Sequence, residues 1–362
     1  MDNFSEYSIS SRAFYRLKLS LDKISDSWDT FIRFKMSRDR AHYIRKKVIS
    51  IHGKKIVNKK EKSVIKEYCK KTFESKAYWP WLALYTELRG EFKEGWIPHD
   101  YYRFIILPKM NPEKYMRFSE AKAMDHIIFG GSIIEPLFFR SNGNYYDADK
   151  IFKTKDEVKE TLRELDDEII VKPEAGRGGK GIIFKHSKEL NLERLSPNTN
   201  LIFQKVVNQH HELNKLYPHS VNTFRVLTFI DNEGAIRIKF IVIRFGLGES
   251  RVDNASSGGN WIFVNQDGVV EPKAYDAYGN CMSTKHPDTG TIYAELEIPF
   301  IDKIITLCKK THSSFPYTRI IGWDVFVDER GEPKLIEWNA NNPFFMAIEA
   351  LFGPFFNELI DY

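Results

Sequence analysis

Residues 320–343, IIGWDVFVDERGEPKLIEWNANNP, form two apolar segments around a polar turn. Asp324 interrupts the first apolar segment, and Glu337 and Asn339 interrupt the second. The stretch predicts two strands around a two-residue turn at Arg330-Gly331, which would place Asp324 directly opposite Glu337. Asn339 lies two residues beyond Glu337 and so shares its face. Opposed carboxylates repel each other, and Mg²⁺ takes such oxygen ligands together with substrate phosphates. From the spacing alone, an edge hairpin with solvated acids is an equally good interpretation.

A glycine-rich loop forms the second motif, IIVKPEAGRGGKGIIF, at residues 169–184. It matches the pattern GxGxxG, but the apolar residues after it favour a strand, whereas a dinucleotide fold requires a helix there. Backbone N–H groups in a loop between two strands can bind phosphates, and Lys172 on the incoming strand adds a point charge. Most such loops are ordinary turns. The glycines concerned are Gly176, Gly178, Gly179 and Gly181, with Arg177 and Lys180 between them.

Arg225 and Arg244 lie on the two arms of a predicted hairpin at residues 221–246, close to opposite each other. Two facing guanidinium groups favour a bound carboxylate or phosphate, although a structural salt bridge to another acid explains them equally well. The neighbouring residues predicted to contact substrate are Asn222, Asp253, Asn254 and Gly258.

Further candidates for nucleotide contact are single residues. Lys122 begins a predicted short helix and is a second candidate for phosphate binding, although an exposed lysine is the simpler interpretation. Gln204 and Lys205 end an apolar strand, where backbone groups could contact adenine, and Glu212 further along could bind ribose hydroxyls. The adjacent His210 and His211 are interpreted as exposed loop residues.

The composition is that of a soluble globular protein. The chain has 362 residues, 42% hydrophobic and 14% aromatic, enough for a large core and more than one domain or lobe. Its three cysteines are scattered, which fits a reducing cytosol and argues against structural zinc. The sequence shows neither a secretory signal nor a long apolar run, so we expect a cytoplasmic protein without a membrane-spanning helix.

The basic charge is concentrated at the N-terminus. Residues 1–62 contain 16 Lys/Arg and 7 Asp/Glu, an excess of nine positive charges in a chain whose net charge is +5. Such a segment could meet the phosphates of nucleic acid or of anionic lipid, or it could be a solvated helical face. An apolar stripe from Phe14 to Phe31 predicts a helix packed against the core, with a lipid-surface role as the alternative because of its basic flank. Residues 38–75 predict further helix with a break near Gly53.

The elements that must position these side chains alternate irregularly, which predicts an α+β fold. Thr154 and Glu157 form a capping box that predicts a helix over 154–165. The hairpin at 221–246 should turn at residues 232–234, and a further helix is predicted at 298–315.

The motifs occur in an order that resembles the ATP-grasp superfamily: Lys172 with its glycine loop, the strand end at Gln204–Val207, then Asp324 and Glu337-x-Asn339. The segments NTFRVLTF, RVDNASSGGNWIFV and HPDTG further resemble its sugar-transfer-associated branch, found beside polysaccharide biosynthesis proteins. The resemblance covers about residues 100 to 350, and the first hundred residues carry no motif of that family.

The resemblance implies two α+β lobes that clamp ATP, formed by residues 105–204 and 205–362 after a helical, basic region at 1–104. It implies that the 176–181 loop closes over the phosphates. It also implies roles for single residues: Mg²⁺ held by Asp324, Glu337 and Asn339; phosphates by Lys122 and Lys172; adenine by Gln204, Lys205 and Val207; ribose by Glu212.

Two positions depart from the family pattern. Gly322 stands where many ATP-grasp ligases have an arginine, so Arg225 or Arg244 would have to supply the catalytic guanidinium, and Gln204 stands where glutamate is common. The resemblance implies an ATP-dependent carboxylate–amine ligase that forms an acyl phosphate from a sugar acid or sugar-linked carboxylate and an amine or amino acid. The alternative is a phosphotransferase acting on a hydroxyl. We expect no nucleic-acid partner, but peripheral contact with the inner face of the membrane through the basic N-terminus.

Overall fold

A computed structural model describes residues 9–176, 181–251, 258–343 and 346–360, with side chains from residue 28 onward. The chain divides into two compact units. One comprises the residues up to Ile105 together with the C-terminal segment from Phe356, and the other runs from Ile106 to Phe355. In the part of the chain that the structure describes, no helix is both long and apolar enough to cross a membrane.

The first unit is helical, as predicted. Its principal helices are α1 (Ile9–His52), α2 (Lys59–Phe73) and α3 (Trp79–Arg89), followed by the short α4 (His99–Tyr101) and a π-helical turn at Tyr102–Ile106. The predicted break near Gly53 falls between α1 and α2. Asn58 begins α2 because its side chain accepts hydrogen bonds from the backbone N–H groups of Lys60 and Glu61, at 2.7 and 3.2 Å.

The N-terminal apolar stripe differs from its prediction. Residues 14–31 are not a separate helix but part of the single helix α1. Trp28 and Phe31, predicted to pack in the core, are exposed. The buried face of α1 is instead the later set Ala41, Ile44 and Val48.

The second unit begins with three short helices and a six-stranded sheet. The helices are α5 (Leu107–Met110), α6 (Glu113–Met116) and α7 (Asp125–Phe129), and α8 (Lys155–Leu165) follows β3. The strands are β1 (Phe138–Ser141), β2 (Asn144–Asp147), β3 (Phe152–Lys153), β4 (Glu168–Pro173), β5 (Ile183–His186) and β6 (Leu201–Lys205). Their order is β3-β2-β1-β6-β4-β5, with antiparallel neighbours throughout.

Helix α8 confirms its capping prediction. The Thr154 hydroxyl accepts a hydrogen bond from the backbone of Glu157, whose carboxylate accepts one from the Thr154 backbone at 2.7 Å. The helix then buries Val158 and Leu162 in a cluster with strand residues such as Phe203. Packing of α8 therefore fixes β4, the strand that carries Lys172.

A seven-stranded antiparallel sheet completes the second unit, in the order β11-β10-β9-β8-β7-β12-β13. Its strands are β7 (Thr223–Ile230), β8 (Ile236–Phe245), β9 (Asn260–Val264), β10 (Val270–Tyr275), β11 (Cys281–Ser283), β12 (Ile320–Val327) and β13 (Pro333–Asn339). The associated helices are α9 (His211–Leu216), α10 (Ile301–Ser314) and α11 (Met346–Phe352). The predicted 221–246 hairpin and the helix predicted at 298–315 are β7–β8 and α10.

The β12–β13 hairpin pairs Asp324 with Glu337, as predicted, but its turn is different. Asp328 and Glu332 close a loop of three residues, in which Gly331 has a φ of +74°. This loop alone would shift the pairing by one residue. A bulge between Asp324 and Val325 restores it, so the prediction of a two-residue turn is wrong although the predicted pair is right.

Two short connections tie this hairpin to segments flanking the first sheet. The Ile134 N–H donates to the carbonyl of Leu335 at 3.0 Å, just before β1. The His210 N–H donates to the carbonyl of Val327 at 2.9 Å, just after β6. These bonds hold the acids of β12 and β13 at the level of the β6 end.

Candidate active site

A cavity of about 520 Å³ is lined by residues of both sheets. Most of the predicted site residues that the structure describes line this cavity, although they are far apart in sequence. The six-stranded sheet and the segments next to it contribute Lys122, Lys172, Gly176, Gln204, Lys205 and Val207. The seven-stranded sheet contributes Arg244, Asp324 and Glu337.

Asp324 is buried on the central strand β12 and is held by two arginines. Arg225, its partner across β7–β12, contacts both carboxylate oxygens, with Nη2 2.9 Å from Oδ2. Arg244 Nη2 lies 3.0 Å from the same Oδ2. Burial alone would raise the pKa of Asp324, but the two guanidinium groups outweigh it and hold that pKa below its ordinary value. Asp324 is thus an ionised carboxylate in an apolar strand.

Arg225 and Arg244 are diagonal neighbours rather than an opposed pair. In β7–β8, Arg244 pairs with Thr223 and Arg225 pairs with Val242, a displacement of two residues that keeps both guanidinium groups on one face. Arg244 also donates from Nη2 to the Thr223 hydroxyl at 2.8 Å. A salt bridge to an acid, one of the two interpretations of this pair, is present in the structure.

Lys122 connects the carboxylate hairpin to the glycine loop. Its Nζ lies 3.1 Å from Glu337 Oε2 and donates a hydrogen bond of 2.9 Å to the carbonyl of Gly176. One predicted phosphate-binding lysine, one predicted metal ligand and the first glycine of the loop are therefore in direct contact.

Lys172 is the second cation beside the loop and is almost fully buried. Burial, with a smaller effect of Lys122, lowers its pKa to about 8, although Glu337 and Asp125 act in the opposite direction. A buried ammonium group that is only partly compensated favours an anionic ligand.

The oxygen ligands predicted for Mg²⁺ lie on one face of β12–β13, because Asn339 pairs with Gly322 and Glu337 with Asp324. Asn339 Nδ2 is buried and has no hydrogen-bond partner among the described residues. The amide nitrogen and oxygen are distinguished only by their hydrogen bonds, so the unpartnered position equally suits an oxygen facing a cation. Two carboxylates and an amide fit Mg²⁺. Within the described ranges, no cluster of three His, Cys, Asp or Glu residues offers a metal site.

Asp125 is a site neighbour that sequence reasoning missed. It is buried on α7 and accepts a 2.8 Å hydrogen bond from Trp338 Nε1. Burial raises its pKa to about 7, although the Trp338 bond and Lys172 act in the opposite direction. Trp338 stands between Glu337 and Asn339, so this bond orients the strand that carries both. An acid inside the apolar run MDHIIF was the available signal.

The predicted adenine and ribose contacts separate in the structure. Gln204, Lys205 and Val207 line the cavity, and Gln204 Nε2 donates to the carbonyl of Ile134 at 3.0 Å. Glu212 is not among the described residues that line it; its carboxylate instead contacts Lys215 at 2.6 Å. Asn208 and Glu329 occupy the lining near the end of β6.

The prediction that His210 and His211 are exposed loop residues is correct only for His211. His211 is exposed, but the His210 ring accepts a 3.3 Å hydrogen bond from the Glu212 backbone and so caps α9.

The predicted substrate contacts are the least defined. Asn222 is fully buried and donates from Nδ2 to the carbonyls of Leu213 and Tyr217, at 2.9 and 2.8 Å. Gly258 is not among the described lining residues. Four predicted residues lie outside the described ranges: Gly178, Gly179, Asp253 and Asn254.

Comparison with known proteins gives the same assignment as the motifs. The family model described as "Sugar-transfer associated ATP-grasp" matches residues 133–352. No curated protein matches the sequence.

Solved structures to which this chain is similar include three enzymes. One is a biotin carboxylase–β-γ-ATP complex from Campylobacter jejuni, with 11% identity and a TM-score of 0.43 over 70% of this chain and 48% of that one. Another is the ATP-grasp ligase PsnB with its minimal precursor, with 15% identity and a TM-score of 0.39 over 70% of this chain and 61% of that one. The third is D-alanyl-alanine synthetase A from Vibrio cholerae, with 12% identity and a TM-score of 0.39 over 67% of this chain and 64% of that one. The chain thus spans about half of the first and less than two thirds of the other two.

The fold is the ATP-grasp fold, with two antiparallel α+β lobes and a helical N-terminal region. Because the family model covers more than half of its length, the chain belongs to the sugar-transfer associated ATP-grasp family.

Proposed function

We propose that the protein is an ATP-dependent ligase that joins a carboxylate to an amine through an acyl phosphate. One observation carries the proposal: a single cavity is lined by the opposed acids of β12–β13, by Lys122 and Lys172, and by Arg244, while Arg225 contacts the same Asp324 from behind the lining. Cations that bind anions and acids that bind a metal are the parts that phosphoryl transfer needs.

The nucleotide would occupy the cavity along the end of β6, with adenine against the segment Gln204–Val207. Lys122 and Lys172 would neutralise its phosphates, and the loop beginning at Gly176 would cover them with backbone N–H groups. Glu212 faces Lys215 and His211, so its proposed ribose contact requires it to leave these partners.

Asp324, Glu337 and Asn339 would hold Mg²⁺. When bound, the ion would neutralise charge on the phosphates and align the γ-phosphate with the attacking oxygen.

Arg225 and Arg244 would orient the substrate carboxylate, whose oxygen attacks the γ-phosphorus while the bond to ADP breaks. The amine nitrogen then attacks the acyl carbon, loses its proton to solvent, and expels inorganic phosphate. The guanidinium groups would stabilise the tetrahedral oxyanion between these states. Asp253, Asn254 and Gly258 stay the proposed substrate contacts. For Asn222, predicted as a further contact, we propose an indirect role: it would brace the start of β7, because its buried side chain donates to backbone carbonyls.

The substrates we propose are a sugar acid or sugar-linked carboxylate and an amine or amino acid, in the synthesis of a surface polysaccharide such as a capsule. The family description supports an association with sugar transfer. We place the reaction in the cytoplasm, at the inner face of the membrane, because of the basic N-terminal region.

A phosphotransferase is the second candidate function. Gly322 leaves the position two residues before Asp324 without the arginine that many ATP-grasp ligases have there. The same lobes could then transfer the γ-phosphate to a hydroxyl, and the product would be a phosphorylated compound rather than an amide.

Hydroxylamine distinguishes the two reactions, because it captures an acyl phosphate as a stable hydroxamate. Wild-type protein with MgATP, hydroxylamine and a panel of sugar acids should give a hydroxamate whose mass names the acid. Asp324→Asn should give none, and Glu332→Gln, which changes an exposed acid of the same hairpin, should match the wild type. A phosphorylated product without hydroxamate would replace the ligase with the phosphotransferase.

A further inference from the structure

The outer surface of α1 carries an exposed apolar stripe. Trp28, Ile32, Met36 and Tyr43 are 64%, 39%, 66% and 56% exposed. They are spaced by four, four and seven residues, which places them on one face of the helix. We call this set the outer α1 face. It lies opposite the buried face that contains Ala41.

The stripe is long, with one charged interruption. Its ends are fifteen positions apart, which corresponds to roughly 22 Å at the helical rise of 1.5 Å per residue. The exposed Asp39 and Arg40 lie between Met36 and Tyr43. Phe31 widens the other end, because its ring stacks on Trp28 with 5.8 Å between ring centroids and is itself exposed. Single exposed apolar residues are ordinary, but a group of them with stacked aromatic rings marks an interaction surface.

Lysines border this stripe. Residues 28–52 contain seven Lys/Arg and two Asp, of which Arg38 and Arg45 pair with the buried Asp100 and Glu87 and so do not face the stripe. Lys47 Nζ lies 4.8 Å from the Tyr43 ring, so this cation borders the stripe directly. Lys35 follows Trp28 by seven residues and Lys46 follows Tyr43 by three, so both lie beside it.

Helix α2 extends the positive surface. Lys62 Nζ and Lys66 Nζ lie 4.2 and 5.6 Å from the ring of Trp79, which contacts His42 of α1 at 5.2 Å between ring centroids. Burial lowers the pKa of His42, and Arg45, Lys62 and Lys46 lower it further while Asp39 opposes them. The surrounding cations therefore outnumber the acids that His42 experiences.

We propose that the outer α1 face, with the adjoining lysines of α1 and α2, binds the surface of a membrane that contains anionic lipids. Trp and Tyr rings prefer the boundary between headgroups and acyl chains, and lysines beside them pair with lipid phosphates. A second copy of the chain would bring two positive surfaces together, and a nucleic acid would leave Trp28 and Met36 exposed to water. The inference rests on the membrane location proposed above and names the surface responsible for it, but its observations come from the first unit alone and its test does not depend on the ligase reaction.

Vesicle sedimentation of the full-length protein tests this surface. Binding to phosphatidylcholine vesicles that contain phosphatidylglycerol should exceed binding to phosphatidylcholine alone by at least tenfold and should weaken with salt. An apolar variant and a basic variant should each lose about tenfold or more in partitioning. These are Trp28→Ser/Met36→Ser/Tyr43→Ser and Lys35→Gln/Lys46→Gln/Lys62→Gln.

Matched controls change the same chemistry elsewhere on the surface. Ile151→Ser/Met282→Ser removes exposed apolar groups, and Lys309→Gln/Lys310→Gln removes exposed lysines of α10. Both controls should bind vesicles like the wild type, and circular dichroism should show equal helix content in all variants.

Four results would overturn the proposal. One is equal binding to both kinds of vesicle, and another is unchanged binding by the apolar variant. The third is a wild-type dimer in light scattering that the apolar variant converts to a monomer without any vesicle binding, which would make the outer α1 face a contact between copies. Tight binding to duplex DNA that depends on the lysines but not on Trp28 would equally reassign it.

Discussion

At the scale of residues, the predicted metal ligands and the predicted anion-binding cations contact each other. Asp324 is paired with Arg225 and Arg244, and Glu337 with Lys122. The protein's ion pairs would therefore separate when nucleotide and metal bind. The arginines and Lys122 would then contact anionic groups of the ligands, and Asp324 and Glu337 would contact the metal. Each ligand should then favour the binding of the other.

The acids themselves give the first prediction. Asp324→Asn and Glu337→Gln should each reduce ATP turnover at least a hundredfold, because they remove charged ligands from the phosphoryl-transfer site. Their circular dichroism spectra should match the wild type, since both changes nearly preserve side-chain shape. Full turnover in either variant, measured as ADP release, would contradict the assignment of that acid.

Arg244 gives an unusual expectation for metal affinity. Arg244→Gln should bind Mn²⁺ about three- to tenfold more tightly than the wild type in the absence of nucleotide, because one positive charge beside Asp324 is lost. Its turnover should fall at the same time. Electron paramagnetic resonance of free Mn²⁺ measures the affinity directly.

Arg237→Gln is the matched control, because Arg237 is an exposed arginine of the same strand that pairs with Asp231. It should bind Mn²⁺ like the wild type. A weaker Mn²⁺ affinity in Arg244→Gln would show that Arg244 does not restrain Asp324.

Lys172 makes nucleotide binding dependent on pH. Its pKa of about 8 lies below the ordinary value because burial disfavours the charged ammonium. Only the charged form attracts phosphate, so ATP affinity should fall as pH rises through about 8, well before an exposed lysine would titrate. Fluorescence titration of a nucleotide analogue from pH 7 to pH 9.5 measures this. Lys172→Met should bind ATP weakly, and its ATP affinity should no longer depend on pH in this range. An unchanged pH profile in the variant would show that another group causes the pH dependence.

The sequence predicted the acids better than their neighbours, for a physical reason. Asp324 and Glu337 interrupt strands that are otherwise apolar, and such an interruption is visible in one dimension. Asp125 acts through a hydrogen bond to Trp338, more than two hundred residues away, and only the fold brings them together. Glu212 was placed by analogy alone, and its ion pair with Lys215 depends on the course of α9.

At the scale of elements, capping and apolar periodicity predicted helix in the regions of α1, α2, α8 and α10, and the strand pattern predicted the β7–β8 and β12–β13 hairpins. The β12–β13 turn shows where such reasoning stops. A three-residue loop and a bulge each shift the register by one residue, and their effects cancel at Asp324. Neither irregularity is evident from the sequence pattern. The longer loop is stabilised by the Asp328 carboxylate, which accepts hydrogen bonds from the backbone N–H groups of Arg330 and Glu332.

The α8 cap gives a prediction at this scale. Thr154→Ala should lower the free energy of local opening of α8 by about 1 kcal/mol, because the Glu157 N–H loses its acceptor. Thr161→Ala makes the same change in an exposed helical position and should alter it by less than about 0.5 kcal/mol. Amide hydrogen exchange along α8 measures both. Equal effects of the two changes would show that the capping box contributes nothing specific.

At the scale of the whole molecule, composition predicted a chain of several parts with a basic N-terminal region, and the motifs predicted the ATP-grasp fold. For α1 the favoured prediction was packing against the core, with a lipid surface as the alternative. Periodicity shows that one face of a helix is apolar, but it cannot show whether protein covers that face. The same pattern therefore fits a core helix and a helix that contacts lipid.

The central claim is that carboxylate activation by ATP ends in an amide. The most direct measurement incubates the purified protein with MgATP, a mixture of amino acids and amines, and a panel of sugar acids. ADP, inorganic phosphate and new masses are followed together. The account predicts ADP and phosphate in equal amounts, with a product lighter than its two parts by one water. ADP with a phosphorylated product and no free phosphate would contradict it.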